Sequence, residues 1–190
     1  RINLSADGGV AMSAVTNAQG ITYSLSELGN VDWAYWNEPG SDLSSSAAAN
    51  EKSVGSAIGS ITGFDNTNGS TTVRGVSGNP TSFSYTNGSS TASGTASNLY
   101  GVCNSILNVS GVGVELGITL AESNTEYTIR IWTAAAYAYR AHIVASLDSA
   151  EYDAGTMGGY GNGYYYGDDL GSKEGYLYTF KVTPFSAGDV

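Results

Sequence analysis

The sequence predicts an all-β protein, a single antiparallel jelly-roll β-sandwich. Three observations carry that expectation. Apolar and polar residues alternate with period two in roughly nine short segments. Turn-forming clusters such as "EPGSD", "NTNGS", "SGNP", "TNGSS" and "ESNTE" separate those segments at regular spacing. No stretch keeps a long helical period. Composition agrees, because only 13% of the 190 residues are charged, about half the usual share. Gly, Ser, Thr, Asn and Ala fill the gap, with 14 tyrosines. Short strands joined by turns, under a hydroxylic and amidic surface, suit that mixture.

The opening stretch "RINLSADGGVAMSAV" alternates Ile2 and Leu4, then Val10, Met12 and Ala14, as an extended segment does. "ITYSLSEL" (21–28) sets Ile21, Tyr23 and Leu25 against Thr22, Ser24 and Ser26, ending before the Gly29-Asn30 turn. Further strands are expected at "VDWAYW", "SAIGSI", "TVRGV", "TSFSY", "VGVELGITL", "YTIRIWTA", "AHIVASL" and "YLYTFKV". "SSSAAANEK" (44–52) allows one helical turn. The run "AGTMGGYGNGYYYGDDLGSKEG" (154–175) holds too many glycines for a regular strand and reads as a long loop. Its tyrosines, Tyr164, Tyr165 and Tyr166 among them, suit a structured surface or a contact with a glycan or neighbouring subunit. No linker or internal repeat divides the chain, so residues 1–190 read as one domain.

Seven basic against 17 acidic residues give a net charge of −10. Phosphate backbones repel such a chain, which argues against nucleic acid and against anionic membrane surfaces. No apolar run approaches the roughly 20 residues that cross a bilayer as a helix. Cys103 is the only cysteine, which excludes an internal disulfide and a multi-cysteine zinc site. It reads as a small buried hydrophobe, with an intermolecular bridge as the alternative. The chain opens on Arg1 and not Met, as a mature secreted protein would. Extracellular or cell-surface location is the expectation.

Catalysis finds little support. Asp32 with Glu38, Glu122 with Glu126, and Asp168 with Asp169 are carboxylate pairs close to turns, where acids are usually solvated rather than catalytic. A nucleophilic serine needs a base, and the single histidine, His142, falls mid-strand opposite Ile143, Ala145 and Leu147 with no G-x-S-x-G elbow in the chain. A non-enzyme is expected. For calcium, "DNTNG" places Asp65 and Thr67 as alternating oxygen ligands, although Asn68-Gly69 is a strong hairpin turn and the turn is the preferred reading; Asp168 and Asp169 form a second weak pattern. No other cofactor is indicated.

Aromatics give the better binding signal. Alternation along "YTIRIWTA" puts Tyr127, Ile129 and Ile131 on one face, and Thr128, Arg130 and Trp132 on the other. The first set reads as core and the second as a solvent-facing platform, continued by Tyr137, Tyr139, Arg140 and His142. Flat rings stack on sugars while Arg hydrogen-bonds hydroxyls, and the same residues serve subunit contacts. In "VDWAYWNEPG" (31–40) the expectation is Trp33 as core, Asp32 as a hydrogen-bonding corner, and Trp36 as a contact residue.

Four local matches, "YSLSELGNVDWAYWNEPG", "NEKSVGSAIGSIT", "TSFSYTNGSSTAS" and "ITLAESNTEYTIRIWTAAAYAYRAHIVASLDSAEY", occur in an order that resembles a family of bacterial extracellular β-sandwich domains of carbohydrate-binding-module type with a DWxxW segment. The resemblance covers about residues 20–185 and implies a non-catalytic, extracellular sandwich. Tyr35 stands where that family usually has a histidine or polar residue. The family also continues past its last corner into one more strand, whereas this chain ends at "TPFSAGDV". An incomplete sandwich exposes an unpaired edge. Ile2, Leu4, Val10 and Met12 of a neighbouring copy would then fill it by strand addition, or the same segment is simply the domain's own first strand. Two functions follow as expectations: a subunit of a self-assembled surface filament, sheath or matrix, whose partners are other copies of itself, or a module binding polysaccharide through surface aromatics.

Overall fold

Period-two alternation forms a strand wherever one face can be buried, and most of this chain takes that route. The structure, a computed structural model, describes residues 2–5, 8–66, 71–105, 111–135, 141–147, 150–157 and 174–184. In chain order the elements are β1 (Ile2–Ser5), β2 (Gly8–Asn17), β3 (Thr22–Ser24), α1 (Leu25–Leu28), β4 (Ala34–Tyr35), β5 (Ser45–Ser46), β6 (Asn50–Glu51), β7 (Ile58–Asp65) and β8 (Val73–Val76). There follow β9 (Ser82–Thr86), β10 (Ser93–Ala96), β11 (Gly101–Asn104), β12 (Val112–Thr119), β13 (Tyr127–Ala135), β14 (Ala141–Leu147), β15 (Ala150–Met157) and β16 (Glu174–Pro184). The protein is all-β, built from several sheets with one helical turn among the described residues.

Two of the sheets share the main core. One has six strands in the order β15-β14-β1-β12-β7-β5, and the other has three, β13-β16-β2. Between them lie Ile118, Leu120, Ile129, Ile143, Ala145, Tyr178, Phe180 and Val182, with Met12, Leu116, Tyr127, Ile131 and Tyr176 packed at the margin. Register explains the set: Ile129 faces Phe180, Ile131 faces Tyr178 and Tyr127 faces Val182, so six inward side chains meet in pairs. β2 runs beside β14 and β15, and the core joins β12 to β13.

A second core sits on the other face of β13. Leu25, Trp33, Phe83, Tyr85, Ala96 and Leu99 are buried there, with Tyr23, Tyr35 and Trp132 packed against them. The small sheet β10-β9-β3 supplies much of this layer.

Several expectations are corrected. The sheets are not purely antiparallel, because β1 runs parallel to both β12 and β14, and β3 runs parallel to β9. Strand "ITYSLSEL" stops at Ser24, and Leu25–Leu28 makes a helical turn that buries Leu25. Conversely "SSSAAANEK" forms short strands β5 and β6 and no helix. β15 runs to Met157 and β16 starts at Glu174, so the expected loop 154–175 is trimmed at both ends. Within "VDWAYW" only Ala34–Tyr35 pairs as a strand.

Candidate functional site

The segment 29–40 positions much of the second core. Asp32 Oδ1 accepts the N–H of Trp33 at 2.8 Å, and Oδ2 accepts those of Ala57 at 2.8 Å and Ile58 at 3.2 Å. One carboxylate thus ties the corner to the start of β7. Lys52 Nζ donates to the carbonyls of Asn30 and Val31, which fastens the turn before Asp32. Trp33 is 4% exposed and its ring lies 5.4 Å from that of Tyr85. Glu38 is committed to the next turn, where Oε1 accepts the Gly40 N–H at 2.8 Å and Oε2 accepts the Ser46 hydroxyl at 3.1 Å. Asp32 and Glu38 therefore each hold backbone or turn geometry in place.

Trp132 does lie opposite Ile129 and Ile131, yet that face is covered. Its ring packs against Tyr23 and Phe83, with centroids 5.4 Å away in each case. The expected solvent platform is thereby corrected: Trp132 is a half-buried member of an aromatic cluster, with Nε1 shielded and lacking a hydrogen-bond partner. Arg130, beside it, donates from Nη1 to the Leu28 carbonyl at 3.0 Å, which ties β13 to α1. Trp36 is half-buried and its Nε1 donates to the Ser46 carbonyl at 3.1 Å. Tyr137, Tyr139, Arg140, Tyr164, Tyr165, Tyr166, Thr67, Asp168 and Asp169 lie outside the described residues, and for His142 only the backbone, in β14, is described. Asp65 ends β7 opposite Val112. Among the described residues no group of three His, Cys, Asp or Glu side chains comes together.

Two features of the fold bear on the expected contacts. The first is the place of β1. Ile2 to Ser5 pair with Leu116 to Thr119 on one side, and Ile2 to Leu4 with Ala145 to Leu147 on the other. A four-residue strand thus joins the β14-β15 hairpin to β12-β7. The segment carrying Val10 and Met12 is the edge strand β2, paired with β16, where Val10 faces Val182 and Met12 faces Phe180. Both expected exchange segments are seated in their own chain.

The second feature is a cleft of about 1940 Å3 between the six-stranded sheet, β13 and the second core. Trp36, Arg74, Tyr100, Val114, Arg130 and Trp132 are among its walls. Cys103 also lines it, opposite Arg74 in the β8–β11 pair, and burial pushes its thiol pKa up against the pull of the Arg74 charge. The aromatic wall continues through Tyr35, whose hydroxyl donates to Tyr85 Oη at 3.3 Å. Burial first, and that contact second, push the Tyr35 pKa up to about 12.

Asn50 is the structural residue that sequence reasoning missed. Fully buried, it donates from Nδ2 to the Thr91 carbonyl at 2.9 Å and accepts the N–H groups of Ser90 and Glu51 on Oδ1. No periodicity marks it, since "SSSAAANEK" shows no alternation of apolar and polar residues. Comparison of the chain with protein-family models, with curated proteins and with solved structures gave no match.

Proposed function

We propose that this chain is a non-catalytic structural protein of the cell exterior, a subunit that assembles with copies of itself by exchanging β1, on a domain of jelly-roll type. The observation that carries this reading is the position of β1, a four-residue strand parallel to both neighbours and bonded along both edges. A slot of that kind accepts the same segment from another copy with the same hydrogen bonds, so exchange costs little beyond association itself. An empty slot leaves β12 and β14 as two unpaired edges, which drives refilling. Low charge, with 13% ionic residues, supports close packing of copies despite the net charge of −10.

The test is deletion of residues 2–5, followed by sedimentation and negative-stain microscopy. Loss of polymers with retained strand content in the far ultraviolet supports exchange; polymers unchanged by the deletion overturn it. A polysaccharide-binding module is the second reading, supported by Trp36 and Tyr100 on the wall of the cleft. Loss of retention in affinity electrophoresis by Trp36→Ala favours that reading instead.

A further inference from the structure

Among the described cations, Lys52 donates to the carbonyls of Asn30 and Val31, Arg130 to that of Leu28, and Lys181 to the Glu126 carboxylate. Arg74 stands apart. It is half-buried on the cleft wall, and no described residue accepts a hydrogen bond from it or forms an ion pair with it. Its Nε is shielded, whereas Nη1 and Nη2 remain accessible. Holding a guanidinium partly out of water without a partner is costly. The acids of the same cleft are engaged elsewhere. Asp32 holds three backbone N–H groups, Glu115 accepts the Thr62 hydroxyl, Glu122 that of Thr125, and Glu126 pairs with Lys181. Glu27 is exposed on α1.

The backbone brings aromatic residues to the same strand pair. Arg74 lies opposite Cys103 in β8–β11, and its neighbour Gly75 lies opposite Val102. The Gly75 N–H donates to the Gly40 carbonyl at 2.9 Å, and a Cβ on Gly75 would overlap the Glu38 carbonyl oxygen. The segment 36–40 therefore lies against this pair. Tyr100, just before β11, is tied to that segment by its N–H, which donates to Asn37 Oδ1 at 3.0 Å. Trp36 and Tyr100 line the cleft that Arg74 lines.

We infer that Arg74 is the binding point for a carboxylate carried by a sugar, either a free uronic acid or one unit of an acidic polysaccharide. A guanidinium meets a planar carboxylate end-on through two parallel N–H bonds, here from Nη1 and Nη2. Flat rings such as those of Trp36 and Tyr100 cover the apolar faces of sugars. One uncommitted cation balances one negative charge. That favours a carboxylate over a doubly charged phosphate in a chain of net charge −10. The inference rests on the polysaccharide reading above, whose ligand class it names, and is independent of β1 exchange.

Cys103 reports on the site, because it faces Arg74 across the strand pair and also lines the cleft. Burial pushes its thiol pKa up and the Arg74 charge pulls it down. An anion seated on Arg74 removes that pull and slows alkylation at fixed pH. The experiment follows alkylation of Cys103 by N-ethylmaleimide in dilute full-length chain. Galacturonate, polygalacturonate, neutral galactan and inorganic phosphate are compared at equal ionic strength. The expected result is saturable slowing of about threefold or more by a uronate, as for a half-unit rise in thiol pKa. Slowing by polygalacturonate alone assigns the carboxylate to a chain, and slowing by both uronates to a single sugar. Galactan and phosphate should leave the rate unchanged, and Arg74→Gln should abolish the slowing.

No slowing by either uronate overturns the inference, and so does equal slowing in a folded Arg74→Gln variant. Phosphate acting as strongly as galacturonate also overturns it. Equal slowing by galactan does the same, yet leaves the polysaccharide reading standing. If no sugar acts and Trp36→Ala leaves retention in affinity electrophoresis unchanged, both fail. Slowing that grows with protein concentration alone gives Arg74 to an acid of a second copy and overturns the inference. Should Arg74→Gln fail to fold, the contrast of the uronates with galactan and phosphate in wild type decides.

Discussion

Asp32 occupies the space that a side chain at Gly55 would need: a Cβ added to Gly55 would overlap the Asp32 carboxylate. The same carboxylate holds the N–H groups of Trp33, Ala57 and Ile58. Gly55→Ala should cost about 1–3 kcal/mol through overpacking, and Asp32→Ala a similar amount through unpaired N–H groups. The two changes share one space, so Gly55→Ala should cost less once Asp32 is already alanine. A urea-denaturation double-mutant cycle measures this. Strictly additive costs would show that the close approach has no energetic weight.

Trp132→Ala should behave as a core truncation, costing about 3–5 kcal/mol, because its ring fills the space between Tyr23 and Phe83. Near-ultraviolet circular dichroism should lose much of its aromatic signal along with the stability. A stable variant with an unchanged spectrum would contradict the packing described.

Tyr178 is fully buried, stacked 6.3 Å from Phe180, and its hydroxyl has no hydrogen-bond partner. Tyr178→Phe should therefore hold or raise stability, by up to about 1–3 kcal/mol, the cost of leaving a buried polar group unsatisfied. A clear loss in thermal denaturation would mean the hydroxyl is satisfied.

Alkaline titration follows from the same residue and from Tyr35. Burial is the main cause pushing both pKa values from 10.0 up to about 12. The folded state holds these protons more tightly than the unfolded one. Their contribution is thus fully present below pH 10 and is lost as pH rises toward 12. Denaturation midpoints between pH 9 and 12 should fall in wild type, and fall less steeply in Tyr178→Phe. Equal slopes would refute the assignment to Tyr178.

Asn50→Ala should cost about 1–3 kcal/mol for each buried group left without its partner, since Asn50 joins Glu51, Ser90 and Thr91. Faster amide exchange at Ser90 is the local readout. An unaltered exchange rate there would show that the backbone finds another acceptor.

Alternation made the inward faces of β13 and β14 legible: Ile129 and Ile143 are buried as period two requires. It could not show what covers the opposite face, because Trp132 meets Tyr23 and Phe83 from segments far along the chain. The corner at Asp32 was readable from its place between a turn and a tryptophan, whereas the N–H groups of Ala57 and Ile58 that donate to it were not. α1 was missed because Tyr23, Leu25 and Leu28 fit either period over so short a span. The cleft was invisible in sequence for a different reason. It arises from a three-strand layer facing a six-strand layer, a property of sheet order and not of any segment.

The seat of β1 also imposes an order on folding. Residues 2–5 leave the ribosome before their partners, which lie more than a hundred residues later in β12 and β14. Closing so long a loop is slow relative to making the local β14-β15 hairpin. β1 is thus among the last strands to be seated. Throughout that interval the edges of β12 and β14 that β1 comes to fill stay unpaired.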